Sequence, residues 1–142
     1  MKLLRILLVF FLIHGCNEME SSKVLSNGSE VKEALRELKS QKKFLQNLAL
    51  FYPGAPDELT RIEAENVINS VLVKLIESPS DSFTENAFWL TLKVVAKQLA
   101  NMDSEEMDRG LSYMDEIMGI YKIESSDGRL NEWRYGFEPS SH

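Results

Sequence analysis

Almost all the chemistry open to this sequence lies in its carboxylates. Its 142 residues hold 22 Asp and Glu, one cysteine, and two histidines, His14 and His142. A Ser-His-Asp or Cys-His nucleophile needs an imidazole held beside it. His142, on a Pro-Ser-Ser tail, is a poor candidate for that. Zinc sites draw mostly on His and Cys, di-iron bundles on Glu-x-x-His pairs, and phosphate loops on Gly-rich turns. None of these patterns is present. Three carboxylate sets remain: Glu63 with Glu65, Glu105 with Asp108, and Asp115 with Glu116. General acid catalysis would need one acid of a set desolvated, so that its pKa rises. Nothing in the sequence places an apolar cleft around any of them, and acids in a first helical turn serve the helix dipole. The expectation is no catalytic residue, no cofactor and no metal ligand.

Two other clusters call for a chemical reading. Oxygen ligands crowd Glu124-Ser125-Ser126-Asp127-Gly128, but an EF-hand loop needs a glutamate at its twelfth position. Counting from Glu124, that place holds Tyr135, so a cap followed by a turn is the better account. Trp133, Tyr135 and Phe137 could present an aromatic face to a protein partner or close over a small core as a lid. Met107, Met114 and Met118 pose the same choice between an adaptable groove and core packing, and packing is favoured.

The most specific feature is the start of the chain, MKLLRILLVFFLIHGC. Lys2 and Arg5 precede an unbroken apolar run, Ile6 to Ile13, and the run stops at Gly15 and Cys16. These are the parts of a secretory signal, and the stop at cysteine resembles a bacterial lipoprotein signal. That resemblance implies removal of residues 1–15 and acylation of Cys16, with palmitate among the usual chains. Ile13 and Gly15 fit the usual lipobox, whereas His14 is bulky for its place. The alternatives are an ordinary secretory signal with a stray cysteine, or a membrane-spanning helix, which would need about 20 apolar residues. Asn17, where an inner-membrane lipoprotein of a two-membrane host commonly carries Asp, points to the outer membrane. The expected location is therefore the cell membrane or outer membrane, on its extracytoplasmic side, with the lipid on Cys16 as membrane contact. Removing the leader takes Lys2 and Arg5 with it and moves the net charge from −6 to −8. That balance opposes nucleic-acid binding, which depends on Lys and Arg, and permits a basic partner.

The remaining residues must fold without a disulfide. Asn17 to Gly28 reads as a polar tether with an Asn-Gly turn, so residues 16–28 are expected to be flexible and 29–139 to form one helical domain. Ser29 is the expected cap of a first helix whose apolar spacing runs from Val31 through Leu45 and Leu48, with Lys39–Lys43 on its solvated side. FYPGAP, Phe51–Pro56, ends that helix. Asp57 or Thr60 opens a second, and Thr60 with Glu63 has capping-box spacing. Ser82 with Glu85 has it for a third, expected to be the most buried. Asp103 or Ser104 opens a fourth. Ser125 or Ser126 caps a short fifth helix that Gly136 stops, bringing Leu130, Trp133 and Phe137 over the bundle. The predicted fold class is all-α, a small bundle of four main helices plus a short C-terminal one.

The tail ESSDG-x-LN-x-W-x-YGF, Glu124 to Phe137, with FYPGAPDE at Phe51–Glu58, resembles an uncharacterised bacterial family of short helical proteins that share a domain of unknown function. The resemblance spans most of residues 30–139, implies an all-helical fold and supplies no activity. The functional reading from sequence is a lipid-anchored, non-catalytic binding module of the cell envelope. An immunity or inhibitor protein against a basic toxin or hydrolase is the sharper alternative, and a carboxylate-only enzyme the weaker one.

Overall fold

The computed structural model describes residues 22–136. Among these residues there are five α-helices, as many as the sequence predicts: α1 Ser29–Ser40, α2 Glu58–Glu77, α3 Glu85–Leu99, α4 Ser104–Ile120 and α5 Arg129–Tyr135. A single 3-10 turn covers Leu48–Leu50. The described residues contain no strand, only isolated antiparallel bridges at Val24 with Thr84 and at Asn47 with Tyr52. The protein is all-α. No helix among the described residues is long and apolar enough to cross a membrane.

The four main helices alternate in direction. One end of the bundle gathers the start of α1, the ends of α2 and α4 and the start of α3. Buried Asn27 ties that end together: its amide donates to the carbonyls of Leu75 and Ser78, both at 3.0 Å, and its oxygen accepts the Tyr121 hydroxyl at 2.7 Å. The opposite end holds the C-terminus of α1, the start of α2, the end of α3 and the start of α4. It also holds the long connection from Gln41 to Asp57. At 1.5 Å per residue, the 20 residues of α2 separate the two ends by about 30 Å.

The core runs through Leu35, Ile68, Leu72, Leu92, Leu99 and Met114, all sealed from solvent. The most buried helix is α4, not α3 as expected. α4 touches each of the other four helices, whereas α3 has no contact with α1 and turns Leu90 and Val94 to water. Met107, Met114 and Met118 are buried in the core, so they line no groove. Close packing of α3 on α4 depends on Gly110, where a Cβ would come within 2.9 Å of Leu99 Cδ2.

Several helix boundaries differ from expectation, each for a tertiary reason. The described part of the segment expected as tether, from Ser22 onward, belongs to the body: the Lys23 carbonyl accepts Glu85 N–H at 2.8 Å, Leu25 N–H donates to the Phe83 carbonyl at 2.8 Å, and Leu25 and Asn27 are buried. Gly28, not Ser29, caps α1, without a side-chain bond. Asp57 caps α2 through the Thr60 N–H at 2.8 Å, which places Thr60 inside the helix and leaves no Thr60–Glu63 box. The cap of α3 is Thr84, not Ser82, because the Val24 bridge draws Phe83 inward and holds Thr84 extended. Asp103 precedes α4. Gly128, not Ser125 or Ser126, precedes α5, and Gly136 stops it at a φ of 87°. The largest departure is α1, which ends at Ser40 rather than running on through Leu48.

Candidate functional site

The connection from Gln41 to Asp57 is an ordered structure in its own right. Its first anchor is Lys43, expected on a solvated helix face and found fully buried. Its ammonium turns back on α1 and donates to the carbonyls of Leu38 (2.7 Å), Gln41 (2.9 Å) and Lys39 (3.2 Å). A cation at a helix C-terminus meets the negative end of the dipole and satisfies carbonyls that the helix leaves open. Burial pulls the Lys43 pKa below the ordinary lysine value, against the pull of Glu65. The Lys43 backbone is pinned from the other side. Its N–H donates to Glu65 Oε2 at 2.7 Å, and its carbonyl accepts Arg61 Nη1 at 3.1 Å. Arg61 also bridges Glu58 and Glu65, at 2.7 Å each. Burial works against the Glu65 carboxylate, but the Lys43 N–H and the Arg61 guanidinium outweigh it and hold its pKa below the usual range.

Phe44 follows in the left-handed region at φ 57°. Its ring is sealed between Tyr113 and Tyr52, with centroids 5.3 and 6.3 Å away. Its N–H donates to the Tyr113 hydroxyl oxygen at 3.1 Å. Asn47 and Tyr52 then exchange both backbone hydrogen bonds, at 2.9 and 3.0 Å. Between them the chain makes its 3-10 turn, capped by the Asn47 side chain. Tyr52 locks the turn to α4: it is buried and donates to Glu106 Oε1 at 3.1 Å. Burial and the neighbouring Glu106 both push its phenol pKa upward. Gly54, at φ 94°, closes the loop where a Cβ would crowd the Gln46 backbone.

What this framework displays is apolar. Leu48 is 76% exposed and Phe51 94%, with Leu50 and Leu45 about half exposed. Phe51 also sits at φ 53°, a conformation that costs a bulky residue about 1–3 kcal/mol and persists only where its surroundings impose it. Two depressions flank the turn on its α4 side. A cleft of about 210 Å³ lies between Leu50–Pro53 and Glu105, Asp108, Arg109 and Ser112. A second lies between Pro53–Pro56 and Asp103, Glu105 and Glu106. Arg109 is buried beside the first cleft, its guanidinium 3.8 Å over the Tyr113 ring and 3.5 Å from Glu116. Its Nε and Nη1 find no hydrogen-bond acceptor among the described residues.

The 26–138 stretch matches the model of the family described as Domain of unknown function (DUF4844). The chain belongs to that family. No curated protein and no solved structure matches the chain.

Within this DUF4844 domain the residues singled out from sequence fall apart rather than together. Glu63 is exposed while Glu65 serves Arg61 and Lys43. Asp108 forms a two-pronged pair with Arg134, and Glu116 faces Arg109. Glu105 and Asp115 stand in solvent. Asp127 turns on Ser125 and pairs with Arg129 at 3.5 Å, an arrangement of cap and turn. Among the described residues no three His, Cys, Asp or Glu side chains converge in a way that could hold a metal ion. Of the two readings of the tail aromatics, face or lid, Trp133 takes the lid. Trp133 is buried, 6.2 Å from the Trp89 ring, as a lid on α3. Tyr135 is exposed beside Arg134. Phe137 and the lipidation candidate Cys16 lie outside the described residues. The residues that do come together, Lys43, Phe44, Leu48, Phe51 and Tyr52, read in the sequence as helix and helix stop. The available signal was that Phe44 to Tyr52 leaves almost no polar face for a helix.

Proposed function

We propose that the protein is a lipid-anchored component of the cell envelope whose body binds another protein and performs no catalysis. The leader through Cys16 supports the anchor. The rigid apolar turn at Leu48–Phe51 carries the binding role, because its framework spends buried polar bonds and unfavourable backbone to keep large apolar side chains in water. The two ends of the bundle suit this division. The described chain begins at Ser22, whose hydroxyl accepts Asn86 N–H at the start of α3, and the turn lies at the far end. Residues 17–21 would span at most about 20 Å between an acylated Cys16 and the body. Several acyl chains hold firmly where one binds only marginally.

The test is chemical. Mass spectrometry of the chain from its native cells should find Cys16 as an acylated N-terminus, and Cys16→Ser should move the protein out of the membrane fraction. An intact Met1 or a free thiol at Cys16 would refute the anchor. A role as immunity or inhibitor protein is the second reading, favoured by the −8 balance that remains after the leader is removed. Protection of cells from a co-expressed basic toxin would support it.

A further inference from the structure

We infer that the Leu48–Phe51 turn docks into an apolar cleft of a protein that surrounds this cleft with lysine and arginine. This inference rests on the binding role proposed above and names the partner's chemistry. The apolar part follows from geometry. Leu48 and Phe51 project from a turn held at both ends, so an incoming surface meets a formed shape and orders little on contact. A large aromatic presented this way is the usual centre of an interface.

The charge at the turn chooses among occupants. Asp103 and Glu105 edge the depressions on its α4 side, and neither is in an ion pair among the described residues. Of the cations around it, Arg109 faces Glu116, Arg134 pairs with Asp108, Lys42 pairs with Glu58, and Lys43 is buried on the α1 carbonyls. Lys39 stands exposed on the last turn of α1 and Lys97 on the last turn of α3. A second copy of this chain would bring like charges face to face, and an anionic bilayer would be repelled in the same way. A basic surface gains on both counts, and opposite potentials would speed its approach. The location agrees, since the turn lies about 30 Å along the bundle from Ser22, where an anchored chain would enter.

The experiment uses the full chain expressed in its own cells. A photo-crosslinking benzoylphenylalanine replaces Phe51, and in a second strain Leu90, an exposed apolar residue on α3. The expected result is an adduct at position 51 whose cross-linked partner segment carries apolar residues flanked by Lys or Arg. Its yield should fall about tenfold or more with Leu48→Ser. It should fall several-fold with Asp103→Asn and Glu105→Gln combined, with circular dichroism unchanged in each variant. An adduct at 51 to lipid, to a second copy, or to a segment without Lys or Arg overturns the inference, as does a yield indifferent to the acid substitutions. An adduct at 90 alone overturns it while leaving the binding role standing. No adduct at either position, with the chain anchored, overturns both.

Discussion

Phe44 and Phe51 offer a matched comparison inside one loop. Both hold the left-handed backbone region, at φ 57° and 53°, yet Phe44 is 1% exposed and Phe51 is 94% exposed. Replacing each by glycine applies the same backbone change to opposite environments. Glycine adopts positive φ freely, so each substitution recovers about 1–3 kcal/mol of strain. Each also returns about 0.4–1 kcal/mol to the unfolded chain as entropy. Both effects are common to the two positions, so the side chain decides the difference. For Phe44 the ring packed on Tyr52 and Tyr113 is lost, at about 3–5 kcal/mol for a buried aromatic. For Phe51 almost no burial is lost, so the net change lies between zero and about 2.5 kcal/mol of stabilisation. Urea titration followed by circular dichroism measures both, and unchanged slopes would license the comparison. A Phe51→Gly loss above about 1 kcal/mol would show the ring buried in solution, which would end its reading as a displayed side chain.

Two further outcomes follow from the packing. Glu65 has a carboxyl pKa held below its ordinary 4.5 in the fold, so its contribution is complete above that value and is lost as pH falls through the lowered one. Glu65→Gln should therefore lower the urea midpoint at neutral pH, by about 1–3 kcal/mol of stability, and make the acid decline shallower; parallel pH curves for the two proteins would contradict this. Gly110→Ala sets a methyl against both Leu99 methyls in a sealed core. Overpacking of about 1–3 kcal/mol should exceed the helix gain of up to about 1 kcal/mol, and a raised melting temperature would refute the close approach.

How much of this was legible in the sequence depends on whether local spacing or distant partners decide. The stripe Ile68, Val71, Leu72, Leu75 and the set Met107, Leu111, Met114, Met118 announce their helices, because both follow a 3.6-residue period that the core enforces. Asp57 declares its cap for the same local reason. Thr84 does not, because its role depends on Val24, sixty residues earlier in the chain. Lys43 misleads most. As the end of a KSQKK run it reads as solvated, yet its ammonium caps the helix that precedes it while Glu65 and Arg61 hold its backbone from α2. Leu45 and Leu48 sit at helical spacing from Leu38, so periodicity carries α1 through a loop that shows both residues to water. Spacing reports where apolar residues are, not whether they face a core or a partner.

That ambiguity is itself informative about the loop. Helix–helix connections in bundles usually take about 2–8 residues, and much longer ones are commonly functional. Here the chain from Gln41 to Asp57 is longer than α1. A connector selected only to join α1 to α2 would have no need of a buried lysine, an Arg61–Glu65 clamp or two phenylalanines at positive φ. It would also tend to shed Leu48 and Phe51, since exposed apolar groups invite aggregation. The buried half of the loop, Lys43, Phe44 and Tyr52, makes sense as the foundation for the exposed half. The two halves therefore have separable consequences. Substitutions at Phe44 or Tyr52 should act on folding first and on binding through it, whereas those at Leu48 and Phe51 should leave the fold intact and act on binding alone.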